Sequence, residues 1–161
     1  MITKQAYLKE FTSWKMQFYL LQKLPLAFFA GIKVKYCDGD KSVVALPFTW
    51  RSQNPFRSVY FAAQIAAAEL STGVLFLAGI YPHKDISMLV IRSQAEFLKK
   101  ADGDILFTCK DGNYINQLIN EAISSGESRQ ILAKSVGRLA NGTVVSEVQF
   151  EWSVKQRTSK V

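Results

Sequence analysis

One charged side chain, Glu69, stands between Arg57 and His83, inside the most apolar run of the chain, Val59 to Tyr81. An ionised carboxyl in apolar surroundings costs on the order of several kcal/mol unless it is paired or accepts hydrogen bonds, and otherwise its pKa rises. A carboxylate poised a little below neutrality is a usable general base, so chemistry is one reason to keep it there. The structural alternative is that Glu69 accepts bonds from Ser71, Thr72 or a partner chain's backbone and fixes a helix crossing. Upstream, Asn54 offers an amide with donor and acceptor groups that can orient water or a carbonyl. Before Pro55 it can equally be a turn residue.

The other reactive side chains form no constellation. His83, the sole histidine, falls in the Tyr81-Pro82-His83-Lys84 loop with no ligand partners in sequence, and reads as ordinary surface. Cys37 and Cys109 are far apart and each sits in a strand-like segment, where a thiol behaves as a small hydrophobe; both are expected reduced. Zinc spacing is missing, as are the glycine-rich phosphate motifs, so no metal and no resident cofactor are expected. Arg57 could meet a phosphate or simply be solvated.

The elements that position these residues fit in one domain over 1–161, with 48% hydrophobic content and no linker or internal repeat. A formal charge of +7, from 20 Lys plus Arg against 13 Asp plus Glu, allows long-range attraction to an anionic partner, but the charges are scattered. Only the tail, 156–161 with Lys155 before it and Arg157 and Lys160 within it, is locally basic. It lacks interleaved aromatics, and nucleic-acid binding is not expected. The N-terminus has no apolar block with a small-residue cleavage site, which predicts a cytoplasmic protein. The apolar run could in length span a bilayer, but Gln64, Glu69, Ser71 and Thr72 at its middle predict a helix buried in a folded domain and no membrane span.

Tyr7, Phe11, Trp14, Phe18 and Leu21 recur at helical steps and predict an amphipathic helix over 4–22, within an N-terminal segment 1–24, packing its aromatic stripe on the domain. Leu24-Pro25 ends it. Ile32 to Cys37 and Ser42 to Trp50 read as strands around an Asp38-Gly39 turn, the second interrupted by Pro47 and so an edge or bulged strand there. Ser58 is a reasonable N-cap for a long apolar helix over 58–80. Ile86 to Leu98 and Ile105 to Cys109 are strand-like, and Asp111 can cap a helix over 113–124. Arg129 to Leu139 and Val144 to Lys155 flank Asn141-Gly142, a strong hairpin signal, with Val144, Val148, Phe150, Trp152 and Val154 on one face. The order predicts an α+β domain: an antiparallel sheet curled around a long buried central helix, with an extra N-terminal helix, which is the hotdog arrangement.

Asn54-Pro-Phe-Arg57-Ser58-Val59-Tyr60-Phe61-Ala62-Ala63 followed by Glu69 resembles the motif of hotdog-fold acyl-CoA thioesterases of the phenylacetate-pathway type: Asn, Gly, Ser or Thr, His-Gly-Gly, then an acid nine residues after the His. Asn54 stands six residues before Tyr60 and Glu69 nine after it. Phe97-Leu98-Lys99-Lys100-Ala101 is similar to the family's Phe-Leu-Arg-Pro-Ala segment, and the likeness covers about residues 30–155. It looks closest to a branch in which Tyr-Phe replaces His-Gly.

The resemblance implies thioester hydrolysis with Glu69 as general base or nucleophile, Asn54 orienting water or the carbonyl, and the Phe61 backbone N–H as oxyanion donor at the helix start. Ser87 resembles a hydroxyl position some relatives use. Arg57, Ser58, Tyr60 and Gln64 would contact substrate. Coenzyme A would enter as part of an acyl-CoA substrate, an acyl carrier being the alternative, and relatives build the site between protomers, which implies a homodimer or tetramer. The Gly-to-Phe change at position 61 narrows any channel there. Two other readings stand beside the enzyme: a non-catalytic hotdog module binding acyl-CoA or acyl chains, and a scaffold whose Trp14 and Phe18 helix recruits a protein.

Overall fold

The computed structural model describes residues 3–81, 83 and 85–157. Pro82, Lys84 and, in the basic tail, Lys160 lie outside the described residues. The elements are α1 Lys4–Glu10, α2 Trp14–Lys23, α3 Pro25–Phe29, β1 Lys33–Cys37, β2 Ser42–Leu46, α4 Phe61–Ile80, β3 Ile86–Phe97, β4 Ile105–Cys109, α5 Gly112–Ser125, β5 Arg129–Leu139 and β6 Val144–Gln156. The strands form one sheet in the order β1-β2-β4-β5-β6-β3, with every neighbouring pair antiparallel. The sheet curls around α4, as the hydrophobic pattern predicts.

Twelve of the 20 residues of α4 are buried, among them Val74, Leu75 and Phe76, which meet Phe107, Ile131, Phe150 and Trp152 of the sheet in one core. Each fully buried large side chain contributes about 2–3 kcal/mol of transfer free energy. Among the described residues α4 is the one helix long and apolar enough to cross a membrane, and most of it is buried inside the protein. The C-terminal end of α4 crosses α5 so closely that a Cβ at Gly79 would lie 2.7 Å from Asn116 Oδ1 and from Ile119 Cδ1. That approach explains a glycine inside a helix.

Several elements differ from the sequence pattern. The N-terminal helix is broken into α1, α2 and α3, because Ser13 caps α2 by accepting from Lys15 N–H and its hydroxyl also donates to the Glu10 carbonyl. Only part of the aromatic stripe is covered: Phe11 is buried and Tyr7 packs on the core, while Trp14, Phe18 and Leu21 are exposed. Strand β2 stops at Leu46, just before Pro47, and is an interior strand rather than an edge. Helix α4 starts at Phe61, and the residue flanking it is Tyr60, which makes no side-chain cap. Ser58 lies two residues before the cap position, outside the helix, and its hydroxyl donates to Asn54 Oδ1. Asp111 does flank α5, but its carboxylate accepts from Lys134 N–H of β5 instead of capping. On β6, Val148, Phe150, Trp152 and Val154 are buried as expected. A register shift between Gly137 and Arg138 buries Val145 and Ser146 together and leaves Val144 partly open.

Candidate active site

The loop before α4 is built around one carboxamide. Asn54 Oδ1 accepts from the N–H groups of Phe56 and Ser58 and from the Ser58 hydroxyl, at 3.0–3.2 Å. Its backbone closes the same turn, Asn54 N–H donating to the Ser58 carbonyl and Arg57 N–H to the Asn54 carbonyl. Closing it forces Arg57 to φ 56°, a conformation that costs a non-glycine residue on the order of 1 kcal/mol or more. With its oxygen committed to the loop, Asn54 keeps its NH₂ as the free donor. The loop is anchored at its far end by Val59 N–H on the Ala101 carbonyl and Tyr60 N–H on the Ser52 carbonyl.

From this anchor α4 begins abruptly. The first intrahelical bond runs from Gln64 N–H to the Tyr60 carbonyl, so the amides of Phe61, Ala62 and Ala63 precede the helical ladder and point out of its N-terminus. This end of the helix borders, at Phe61, a hollow of about 460 Å³ lined by Asn54, Ser58, Phe61, Gln64, Phe97 and Lys100, among others. Phe61 stands half exposed with its ring edge-on to Phe97, 6.1 Å between centroids. Lys99 and Lys100 on this wall bring positive charge to the hollow, a feature beyond the site residues expected from the motif. Their signal was present in the Phe-Leu-Lys-Lys-Ala segment itself.

Glu69 lies elsewhere. It stands eight residues after Phe61 on α4, about 12 Å along the axis at 1.5 Å per residue. Its carboxyl folds over Gly73, where an added Cβ would lie 3.4 Å from Oε1 and 3.8 Å from Trp152 Cη2. It makes no hydrogen bond and no ion pair among the described residues, and burial alone pushes its pKa up. The structure therefore brings Asn54, Ser58, Phe61 and Gln64 to one hollow but holds Glu69 beyond contact distance of it within one protomer.

The remaining predicted site residues separate clearly. Gln64 lines the hollow, yet both ends of its amide are spent: Nε2 donates to the Val59 carbonyl at 3.2 Å and Oε1 accepts from Ser146 Oγ at 2.9 Å. Within one protomer its amide is thus bonded to the protein itself. Ser87 pairs with Lys155, whose neighbour Val154 faces the core, so Ser87 lies on the outer face of the sheet, across it from α4. Within one protomer it therefore stands apart from Glu69. Arg57 is exposed beside the hollow, and Tyr60 is 46% exposed at the helix start. His83 is exposed. Cys37 and Cys109 are free thiols whose pKa values burial pushes up to about 11 and about 12, so neither is a thiolate nucleophile at neutral pH. Among the described residues, no three His, Cys, Asp or Glu side chains gather where a metal ion could be held.

Sheet, helix and loop together define a hotdog-fold protein whose central helix carries an open N-terminus and a partly buried, unpaired carboxylate. The chain belongs to the DUF4442 family, a domain of unknown function, whose model matches residues 12–154. Solved structures share the fold. A Pseudomonas aeruginosa protein of unknown function, described as a probable thioesterase, is 21% identical with a TM-score of 0.77, covering 89% of this chain and 95% of its own. A Chlorobaculum tepidum protein of unknown function is 14% identical with a TM-score of 0.77, covering 96% of this chain and 98% of its own. A Staphylococcus aureus thioesterase, solved as a Gln-to-Ala variant, is 14% identical with a TM-score of 0.57, covering 85% of this chain and 98% of its own. The same S. aureus protein is also known as a Glu-to-Ala variant. No curated protein matches the chain.

Proposed function

We propose that this protein is a thioesterase acting on acyl-CoA or a related acyl-carrier thioester, with Glu69 as general base or nucleophile and the amides at the start of α4, Phe61 foremost, as oxyanion donors. The observation that carries the reading is the state of Glu69: a carboxylate on a buried helix that no donor among the described residues satisfies, with its proton affinity raised by burial. A structural acid in such a place would be paired. A base needs the opposite, an open lone pair and a pKa lifted toward the working pH.

Thioester hydrolysis also requires donors at the carbonyl oxygen, within about 3 Å of where negative charge develops. The 12 Å or so from Glu69 to the Phe61 amide rules out that pairing within one protomer. We therefore propose a homodimer in which Glu69 faces the partner subunit's Phe61 and the partner subunit's Asn54. Two features of the chain support it. The outer edge strand β3 presents exposed Leu89 and Ile91. Phe61 is exposed, and Ile65 and Glu69 on the same side of α4 are only partly covered. Lys99, Lys100 and Arg57 around the hollow would meet the phosphates of coenzyme A, which comes as part of the substrate and not as a resident cofactor. The S. aureus thioesterase adds a parallel: its two substituted positions, a glutamine and a glutamate, stand fifteen residues apart, as Asn54 and Glu69 do here.

The test is steady-state hydrolysis of a panel of acyl-CoAs by the wild type and Glu69→Gln. Loss of a general base lowers kcat by about a hundredfold or more. Wild-type turnover in the variant refutes the role given to Glu69. A wild type that binds acyl-CoA without hydrolysing it would instead make the protein a binding module.

A further inference from the structure

Helix α2 has two apolar faces, and the fold uses one of them. Met16 and Leu20, one turn apart, are buried against the domain. Trp14, Phe18 and Leu21, at steps of four and three, share a face turned about half a revolution away from that pair. They are 76%, 54% and 40% exposed. The next helix, α3, adds Leu26 and Phe29, 71% and 61% exposed. Isolated exposed apolar residues are ordinary, but five large ones within sixteen residues, on helices that have already buried their docking side, mark an interaction surface.

The charge around them selects the partner. From Phe11 to Cys37 the chain carries four lysines, Lys15, Lys23, Lys33 and Lys35, and no acidic residue, although the protein holds 13 acids in all. All four lysines are exposed, and Lys15 alone of them makes an ion pair, with Glu10. Short helices presenting Trp, Phe and Leu, in a stretch of chain whose only charges are lysines and whose one paired lysine meets Glu10 just before it, match the surface of an anionic bilayer, where aromatic rings settle at the headgroup level and lysines meet the lipid charge.

We propose that the α2–α3 segment docks the protein on anionic lipid membranes, with Trp14, Phe18, Leu21, Leu26 and Phe29 entering the interface. This is peripheral attachment and leaves α4 in the core. It is independent of the hydrolytic reading, since none of these residues lines the hollow at the start of α4.

The test is flotation of the full chain with phosphatidylcholine vesicles, with and without phosphatidylglycerol. The wild type should float with the anionic vesicles, less so as salt is raised, and stay behind with the neutral ones. The double variant Trp14→Ser, Phe18→Ser should lose tenfold or more of that partitioning while its thermal unfolding is unchanged, because both side chains are solvent-facing. Quenching of wild-type fluorescence by brominated lipid, with Trp14→Phe as the blank, reads insertion without relying on the double variant. Absence of flotation, or equal flotation of wild type and double variant, overturns the proposal. So does a fall in oligomer size caused by the double variant in light scattering, which would give the face to a second copy of the chain.

Discussion

The two sides of α4 treat polar groups in opposite ways. Toward the sheet, every buried polar side chain is bonded: Gln64 to Val59 and Ser146, Ser71 to Ala68 and Ser135, and Thr72 between the Glu69 carbonyl, which it donates to, and the Trp152 indole N–H, which donates to it. Ser42 reaches across from β2 to the Ser71 carbonyl. On the other side, the Glu69 carboxylate accepts no bond among the described residues, and the Phe61 amide begins the helix with no side-chain cap. Folding alone explains the first side, since a buried polar atom left unpaired costs about 1–3 kcal/mol. The second side carries unmet capacity in the same helix, and that asymmetry is what separates a structural polar residue from a candidate functional one.

The contrast can be broken most sharply at Gln64. If its amide is structural, Gln64→Ala should cost about 2–4 kcal/mol, because it strands the Val59 carbonyl and the Ser146 hydroxyl and leaves a cavity near the core. Urea unfolding measures it. A loss of stability below about 1 kcal/mol, accompanied by a raised KM for an acyl-CoA, would return Gln64 to the ligand-binding side.

A smaller effect is expected at Trp152, where the two sides meet. Trp152→Phe keeps most of the ring packing against Phe76, whose centroid lies 4.8 Å away, but removes the donor to Thr72. A loss of about 1–2 kcal/mol in the same unfolding measurement is expected. An unchanged stability would mean that the Thr72 hydroxyl is satisfied without the indole.

Much of this architecture was legible in the residues, and the failures share a cause. The central helix, the Asn141-Gly142 hairpin and the odd position of Glu69 follow from local pattern, because apolar length, φ-tolerant turn residues and an isolated charge need no tertiary information. Gly142 indeed takes φ 86°. Periodicity also found the Trp14, Phe18, Leu21 face, but a pattern says which residues share a side and not what covers it. Ser58 had the right chemistry for a cap, but the helix starts three residues later, at Phe61, and Ser58 instead joins the turn held by Asn54. The face of Ser87 depended on strand register, which the sequence does not carry for a single strand. Nor could one chain reveal that the Phe61 amide and Glu69 are 12 Å or so apart, since their spacing of eight becomes a distance only once the helix is known to be continuous.

The smallest expected effect is the one that tests the open side without any substrate. Burial raises the pKa of Glu69 above its ordinary 4.5, so between those two values the native chain holds more protons than the unfolded chain. Stability must then fall as pH rises through that window, and the favourable contribution is complete only below it. Glu69→Gln has nothing to titrate there, so its unfolding free energy should vary less with pH over the same range. Its stability should equal that of the wild type at the acid end and exceed it near neutrality. Urea titrations at a series of pH values give the two curves. If the wild type instead gains on the variant as pH rises, the carboxylate is being stabilised by a donor or a cation, its folded pKa is depressed, and Glu69 belongs with the satisfied groups on the sheet side of α4.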